Sequence, residues 1–140
     1  MKKYKDLHGV LLVDDDKFTN LIHTKAIERT GIDVQVKAVS NVKDALDFLT
    51  SQQLADSVRP GIILLDINMP GLSGWDFMTA YHQLEEKYKV KVIVTMLTTS
   101  LNPDDENRAK LDNQIVSFLH KPLRPEIFSQ LVEEYFEKED

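Results

Sequence analysis

The sequence predicts an α/β domain: a parallel five-stranded sheet, doubly wound, with helices on both faces. Three observations carry this. Short apolar runs recur along the 140 residues, and several are nearly continuous rather than alternating, as strands covered on both sides require. Between the runs lie segments whose apolar residues repeat at helical spacing. The two kinds of segment alternate five times, which is the pattern of right-handed β-α-β crossovers.

The first run, Val10-Leu11-Leu12-Val13, gives a strand over 9–13 and stops at Asp14-Asp15-Asp16. Phe18, Leu21, Ile22, Ala26 and Ile27 then repeat as the apolar face of a helix, with Gly31 as its stop. The second strand, 34–39, alternates Val34, Val36 and Ala38 against Gln35, Lys37 and Val39, which predicts an edge strand with one wetter side. Val42, Ala45, Leu46 and Leu49 form the second helix, with Ser40 as its N-cap. Residues 52–60 read as the one longer loop. Ile62-Ile63-Leu64-Leu65 sets a third strand over 61–66. Trp75, Phe77, Met78, Tyr81 and Leu84 follow Ser73-Gly74 as the third helix. A fourth strand over 90–97 precedes Asn102-Pro103-Asp104-Asp105, a helix start with an Asn cap, proline at the first position and acids in the first turn. The last strand, 115–119, leads to a helix from Pro125-Glu126 through Ile127, Phe128, Leu131, Val132, Tyr135 and Phe136. The acidic tail 137–140 is expected to fray.

The even composition predicts one domain over 1–140, with no linker, repeat or separate output domain. Acids outnumber bases 23 to 17, and no basic block is present, which argues against non-specific nucleic-acid binding. The absence of cysteine excludes disulfides and thiolate metal sites. No stretch reaches the ~18 apolar residues of a membrane span. The apolar run after Met1-Lys2-Lys3 is broken by three aspartates too early for a signal peptide. A cytoplasmic protein is expected.

Each apolar strand delivers a different group at its C-terminal end: Asp14-Asp15-Asp16, Asp66, Thr98-Thr99-Ser100, and His120-Lys121-Pro122. In open α/β sheets the functional crevice lies outside those ends, at the topological switch point. Carboxylates held there about 4 Å apart repel by roughly 4 kcal/mol at an effective dielectric of 20, so solvent, a cation or a basic side chain must offset them. Asp14, Asp15 and Asp66 converging on one spot make a hard oxygen site suited to Mg²⁺. One carboxylate then remains free to attack phosphorus and form an acyl phosphate. Phosphoryl transfer needs chiefly positioning and charge neutralisation, which the metal, a hydroxyl, a backbone N–H and the compact Lys121 ammonium supply. The proline after the lysine suits a tight turn, with a cis bond as one way to make it.

Four segments together resemble the response-regulator receiver domain of two-component signalling, of the stand-alone, chemotaxis-regulator-like kind. They are Leu11-Leu12-Val13-Asp14-Asp15-Asp16, the stretch from Leu64-Leu65-Asp66-Ile67-Asn68 through Met69-Pro70-Gly71-Leu72-Ser73-Gly74, Met96-Leu97-Thr98-Thr99-Ser100, and Phe118-Leu119-His120-Lys121-Pro122. Order and spacing match over nearly the whole chain. The resemblance implies a flavodoxin-like (βα)5 sandwich of strand order 2-1-3-4-5. It implies Asp66 as phosphoacceptor, and Mg²⁺ (or Mn²⁺) held by Asp15, by Asp14 largely through water, by Asp66 and by the backbone carbonyl of Asn68. Thr98 becomes the switch hydroxyl, Lys121 the partner of a phosphoryl oxygen and Phe118 the switch aromatic. The implied partners are a histidine kinase or phosphotransfer protein and a downstream protein that the sequence does not identify, with no nucleic acid and no membrane. The protein itself would be a monomer or a phosphorylation-dependent dimer. The implied chemistry is self-phosphorylation and self-dephosphorylation only, which is not turnover of a substrate.

Singly, these features have plainer readings. Asp66 alone is a turn former, Thr98 a loop hydroxyl, Lys121 a surface lysine, and Asp16 a cap for the first helix. Cutting the fourth strand at Thr95 would leave it too short, which favours Thr98 as its end. His8, His23 and His82 lack zinc-ligand spacing, and His120 reads as structural or surface. Trp75, Phe77 and Tyr81 read as packing, with exposure of Trp75 near the site as the alternative. Three other functions compete. An aspartyl-nucleophile phosphatase would need a general acid where Asn68 stands. A flavin or nucleotide module would need a phosphate cradle where the three aspartates stand. A receiver-like interaction domain that is never phosphorylated would not need the acids, Thr98 and Lys121 together.

Overall fold

A computed structural model describes residues 1–51, 59–89 and 93–139. Strands β1 (Gly9–Val13), β2 (Gln35–Val39), β3 (Pro60–Leu65), β4 (Ile93–Thr98) and β5 (Ile115–His120) alternate with helices α1 (Lys17–Arg29), α2 (Val42–Thr50), α3 (Gly74–His82), α4 (Pro103–Leu111) and α5 (Pro125–Tyr135). All strand pairs are parallel, in the order β2-β1-β3-β4-β5. This is the doubly wound sandwich that the apolar runs predicted, in the flavodoxin-like strand order that the resemblance implied. Residues 52–58 of the expected loop and 90–92 of the expected fourth strand lie outside the described residues.

The continuous apolar runs fill both sides of the sheet because successive side chains point to opposite faces. Leu11, Val13, Ile63, Leu65, Val94 and Met96 pack with Val42, Leu49, Phe77, Met78 and Ala109 under α2, α3 and α4. Val10, Leu12, Ile62, Leu64 and Leu97 pack with Ile27, Phe128, Leu131 and Val132 under α1 and α5.

Four expectations need correction. The inner face of α1 is Asn20, His23, Ala26 and Ile27, whereas Phe18, Leu21 and Ile22 are 68%, 50% and 42% exposed. Counting only apolar residues put the helix in the wrong phase, because its packed stripe contains two polar side chains. The second helix is capped by Asn41, whose side chain accepts from the Asp44 N–H, rather than by Ser40. The edge strand β2 is wet as expected, but Ala38 is exposed and Val39 is buried, since Val39 falls under α2. Finally, Glu137–Glu139 do not fray: Lys5 N–H donates to Glu137 C=O at 2.8 Å, Glu139 N–H donates to Lys3 C=O at 2.8 Å, and Tyr4 and Lys138 pair antiparallel. No helix among the described residues is long and apolar enough to cross a membrane.

Candidate functional site

Strand register assembles the site. Val13 lies opposite Leu65, and the Asp66 N–H donates to Val13 C=O at 3.0 Å, so the residues that follow, Asp14 and Asp66, emerge side by side. At the other edge Thr98 pairs with His120, and the Lys121 N–H donates to Thr98 C=O at 2.9 Å. Parallel pairing therefore gathers acids, hydroxyl and ammonium from four distant segments onto one rim.

Asp14 and Asp66 are buried, 4% and 5% exposed, while Asp15 is exposed. Their carboxylate oxygens lie within 4.8 Å of one another. Between them stands Lys121, whose Nζ is 2.5 Å from Asp14 Oδ2 and 3.4 Å from Asp66 Oδ1. The Lys121–Pro122 peptide is cis. The other oxygen of Asp14, Oδ1, accepts the Asp16 N–H at 2.9 Å. Burial holds the Asp66 carboxyl above its ordinary value; the Lys121 ammonium pulls it back, and the charges of Asp14 and Asp15 push it up again. Three carboxylates face one ammonium, and every donor in the cluster is oxygen. That set suits a hard divalent ion and leaves no nitrogen or sulfur ligand for zinc.

Asp16 caps α1, its side chain accepting the Phe18 and Thr19 N–H groups, and those bonds hold its carboxyl below the usual range. β4 runs through Thr98, which is fully buried at the rim, while Thr95 sits in mid-strand with no partner for its hydroxyl among the described residues. The Thr98 Oγ1 accepts the Ser100 N–H at 3.0 Å. Phe118 is half-buried on β5, its ring edge-on to His120 at 5.7 Å between centroids. Asn68 lies in the loop after Asp66 with its side chain exposed.

That loop is tight because α3 begins close to the end of β3. The Gly74 N–H donates to Ile67 C=O at 2.9 Å, and a Cβ built on Gly74 would stand 2.4 Å from the Asp66 carbonyl oxygen. Gly74→Ala is therefore expected to push the Asp66 backbone and cost about 2 kcal/mol in urea unfolding, as overpacking against rigid neighbours does. A variant unfolding at the wild-type midpoint would refute this.

Two residues at the site escaped the sequence reading. Asn20 donates from Nδ2 to Asp14 C=O at 2.9 Å and to Val39 C=O at 3.5 Å, tying α1 to the ends of β1 and β2. His23, one turn on, is buried, and its imidazole is held below the ordinary value by burial and by the Lys121 charge, with Asp14 opposing. The signal was present as polar residues at i and i+3 in phase with Ala26 and Ile27.

A doubly wound sheet whose switch-point rim carries three carboxylates, a hydroxyl and an ammonium defines a receiver-type α/β domain. Comparison with known proteins agrees. The response regulator receiver domain family model matches residues 10–133, and the chain belongs to that family. It is 32% identical over 125 residues to the "Probable methanogenesis regulatory protein FilR2" of Methanothrix harundinacea, covering 89% of this chain and 79% of that protein. It is 32% identical over 97 residues to "Response regulator Rcp1" of Synechocystis, covering 69% of this chain and 65% of that protein. Among solved structures, a two-component response regulator from Cytophaga hutchinsonii superposes with a TM-score of 0.79 at 28% identity, over 94% of this chain and 98% of that one. Chemotaxis protein CheY4 of Vibrio cholerae superposes with a TM-score of 0.71 at 26% identity, over 92% and 98%.

Proposed function

We propose that this protein is a phosphorylation switch in the cytoplasm, with Asp66 as the phosphoacceptor. The single observation that carries the reading is the Lys121 ammonium set between Asp14 and Asp66 in a cluster of three converging carboxylates. An Asp66 oxygen attacks the phosphorus of a phosphohistidine on a histidine kinase or phosphotransfer protein. The O–P bond forms as the N–P bond breaks, and the electron pair leaves on the imidazole nitrogen. Lys121 pairs with one phosphoryl oxygen, and the Thr98 hydroxyl donates to another. Asp14, Asp15, Asp66 and the Asn68 carbonyl would hold Mg²⁺ or Mn²⁺, which supplies charge neutralisation at the transferring group. The exposed apolar row Phe18, Leu21 and Ile22, on the helix that starts at the acid rim, offers the phosphodonor a docking face. Occupancy then biases Thr98, Phe118 and the α4-β5-α5 face toward a form that a downstream protein binds.

Acetyl phosphate with Mg²⁺ is the direct test. Labelling is expected with the metal and is expected to vanish in EDTA, with no turnover of p-nitrophenyl phosphate, because Asn68 cannot protonate a leaving group. Failure to label in Mg²⁺ would favour a receiver-like interaction domain. Catalytic turnover of the ester would favour a phosphatase.

A further inference from the structure

Thr98 is wired to α3 as well as to the acid rim. Its Oγ1 accepts the Ser100 N–H at 3.0 Å. The Ser100 hydroxyl donates to Asp105 Oδ2 at 2.6 Å and accepts the Asn102 N–H at 3.2 Å. The other carboxylate oxygen, Asp105 Oδ1, accepts the Trp75 indole N–H at 3.1 Å. The Arg108 guanidinium lies over the same indole, 4.4 Å from its centroid. One carboxylate in the first turn of α4 thus joins the loop after β4 to the start of α3, through hydrogen bonds of the strong, charge-assisted kind.

The helix this carboxylate belongs to is otherwise loosely held. Of the nine residues of α4 only Ala109 is buried, and Leu111 is 89% exposed. Little apolar contact fixes the helix, so its position depends on a few polar links, as expected of elements that move at low cost.

We propose that Ser100 and Asp105 are positioning residues that carry occupancy at Asp66 into the groove between α3 and α4, where Trp75 registers it. The proposal rests on the phosphorylation reading above. A Thr98 hydroxyl drawn to a phosphoryl oxygen either pulls the Ser100 amide with it or releases it. In both cases the Ser100–Asp105 bond changes, Asp105 turns, and the indole loses or changes its acceptor beneath Arg108. Switching therefore reaches the α3–α4 groove, lined by Trp75, Met78, His82 and Arg108, in addition to the α4-β5-α5 face.

Trp75 is the one tryptophan in the chain, so intrinsic fluorescence reads it alone. The experiment titrates wild type, Ser100→Ala, Asp105→Ala and Ser100→Thr with beryllofluoride in Mg²⁺, with occupancy followed independently by fluorine NMR. Wild type is expected to change its emission with the midpoint of occupancy. Ser100→Thr, which keeps the hydroxyl, is expected to retain the change, and the two alanine variants are expected to lose it at full occupancy. An unaltered response in both alanine variants overturns the relay. So does a silent Trp75 in fully occupied wild type, which leaves the phosphorylation reading standing. Wild type that binds no beryllofluoride in Mg²⁺ overturns that reading and the relay with it.

Discussion

Asp66→Asn is expected to take up no label from acetyl phosphate and, in the same preparation, to unfold at a higher temperature than wild type. The amide keeps the shape of the side chain but has no carboxylate oxygen to attack phosphorus, so the loss is complete rather than partial. The gain in stability has a separate cause. Asp66 is buried beside Asp14 and Asp15, and burial foremost, with those charges adding, holds its carboxyl above the ordinary value despite Lys121. A carboxyl whose folded pKa lies above its unfolded one contributes stability below the unfolded value, and loses it as pH rises through the folded value. At neutral pH the charge is thus a cost, and its removal should raise the Tm. The difference should close in acid, where wild-type Asp66 is itself neutral. Labelling of the variant, or a Tm difference that does not depend on pH, would contradict the assignment.

Lys121→Ala should act in the opposite direction and more strongly. The ammonium lies 2.5 Å from Asp14 and 3.4 Å from Asp66, and all three side chains are largely buried. Removing one partner from a buried ionic cluster leaves uncompensated charge, which costs about 3 kcal/mol. Three carboxylates would then repel one another with no cation among them. Two rescues are expected: acidification, because the Asp66 carboxyl, already held above its ordinary value by burial, takes up a proton and sheds its charge, and millimolar Mg²⁺, because an ion replaces part of the lost charge. Labelling at saturating Mg²⁺ should still fall about 100-fold, the usual effect of losing one electrostatic stabiliser of a transferring group. Thermal melts across pH and Mg²⁺ concentration, with initial labelling rates, separate these effects. A Tm unaffected by the substitution would show that Lys121 does not bear on the acid cluster.

Much of the fold was legible because buried parallel strands write themselves as continuous apolar runs. Leu11, Leu12, Ile63 and Leu64 could hardly be placed elsewhere, and their ends then fixed where Asp14, Asp66, Thr98 and Lys121 emerge. What escaped depended on contacts between segments. The phase of α1 was misread because Asn20 is buried for the carbonyls of Asp14 and Val39, a reason that local hydrophobicity cannot express. Ser40 reads as the cap of the second helix, but Asn41, one residue on, holds that place by accepting the Asp44 N–H. The bridging of Ser100 and Trp75 by Asp105 joins α3 to α4 across 30 positions of sequence, and no spacing rule announces it. Trp75 reads as packing and does pack against the core; only the bond of its indole N–H to Asp105 is invisible in the sequence.

The tie between the first residues and the last has a practical side. Tyr4 pairs with Lys138, and Lys3 and Lys5 bond to Glu139 and Glu137, beside the start of β1 and the end of α5, at the end of the sheet where its strands begin rather than the end that carries the aspartates. A fluorophore attached at the exposed Lys3 or Lys138 therefore keeps clear of the acid rim.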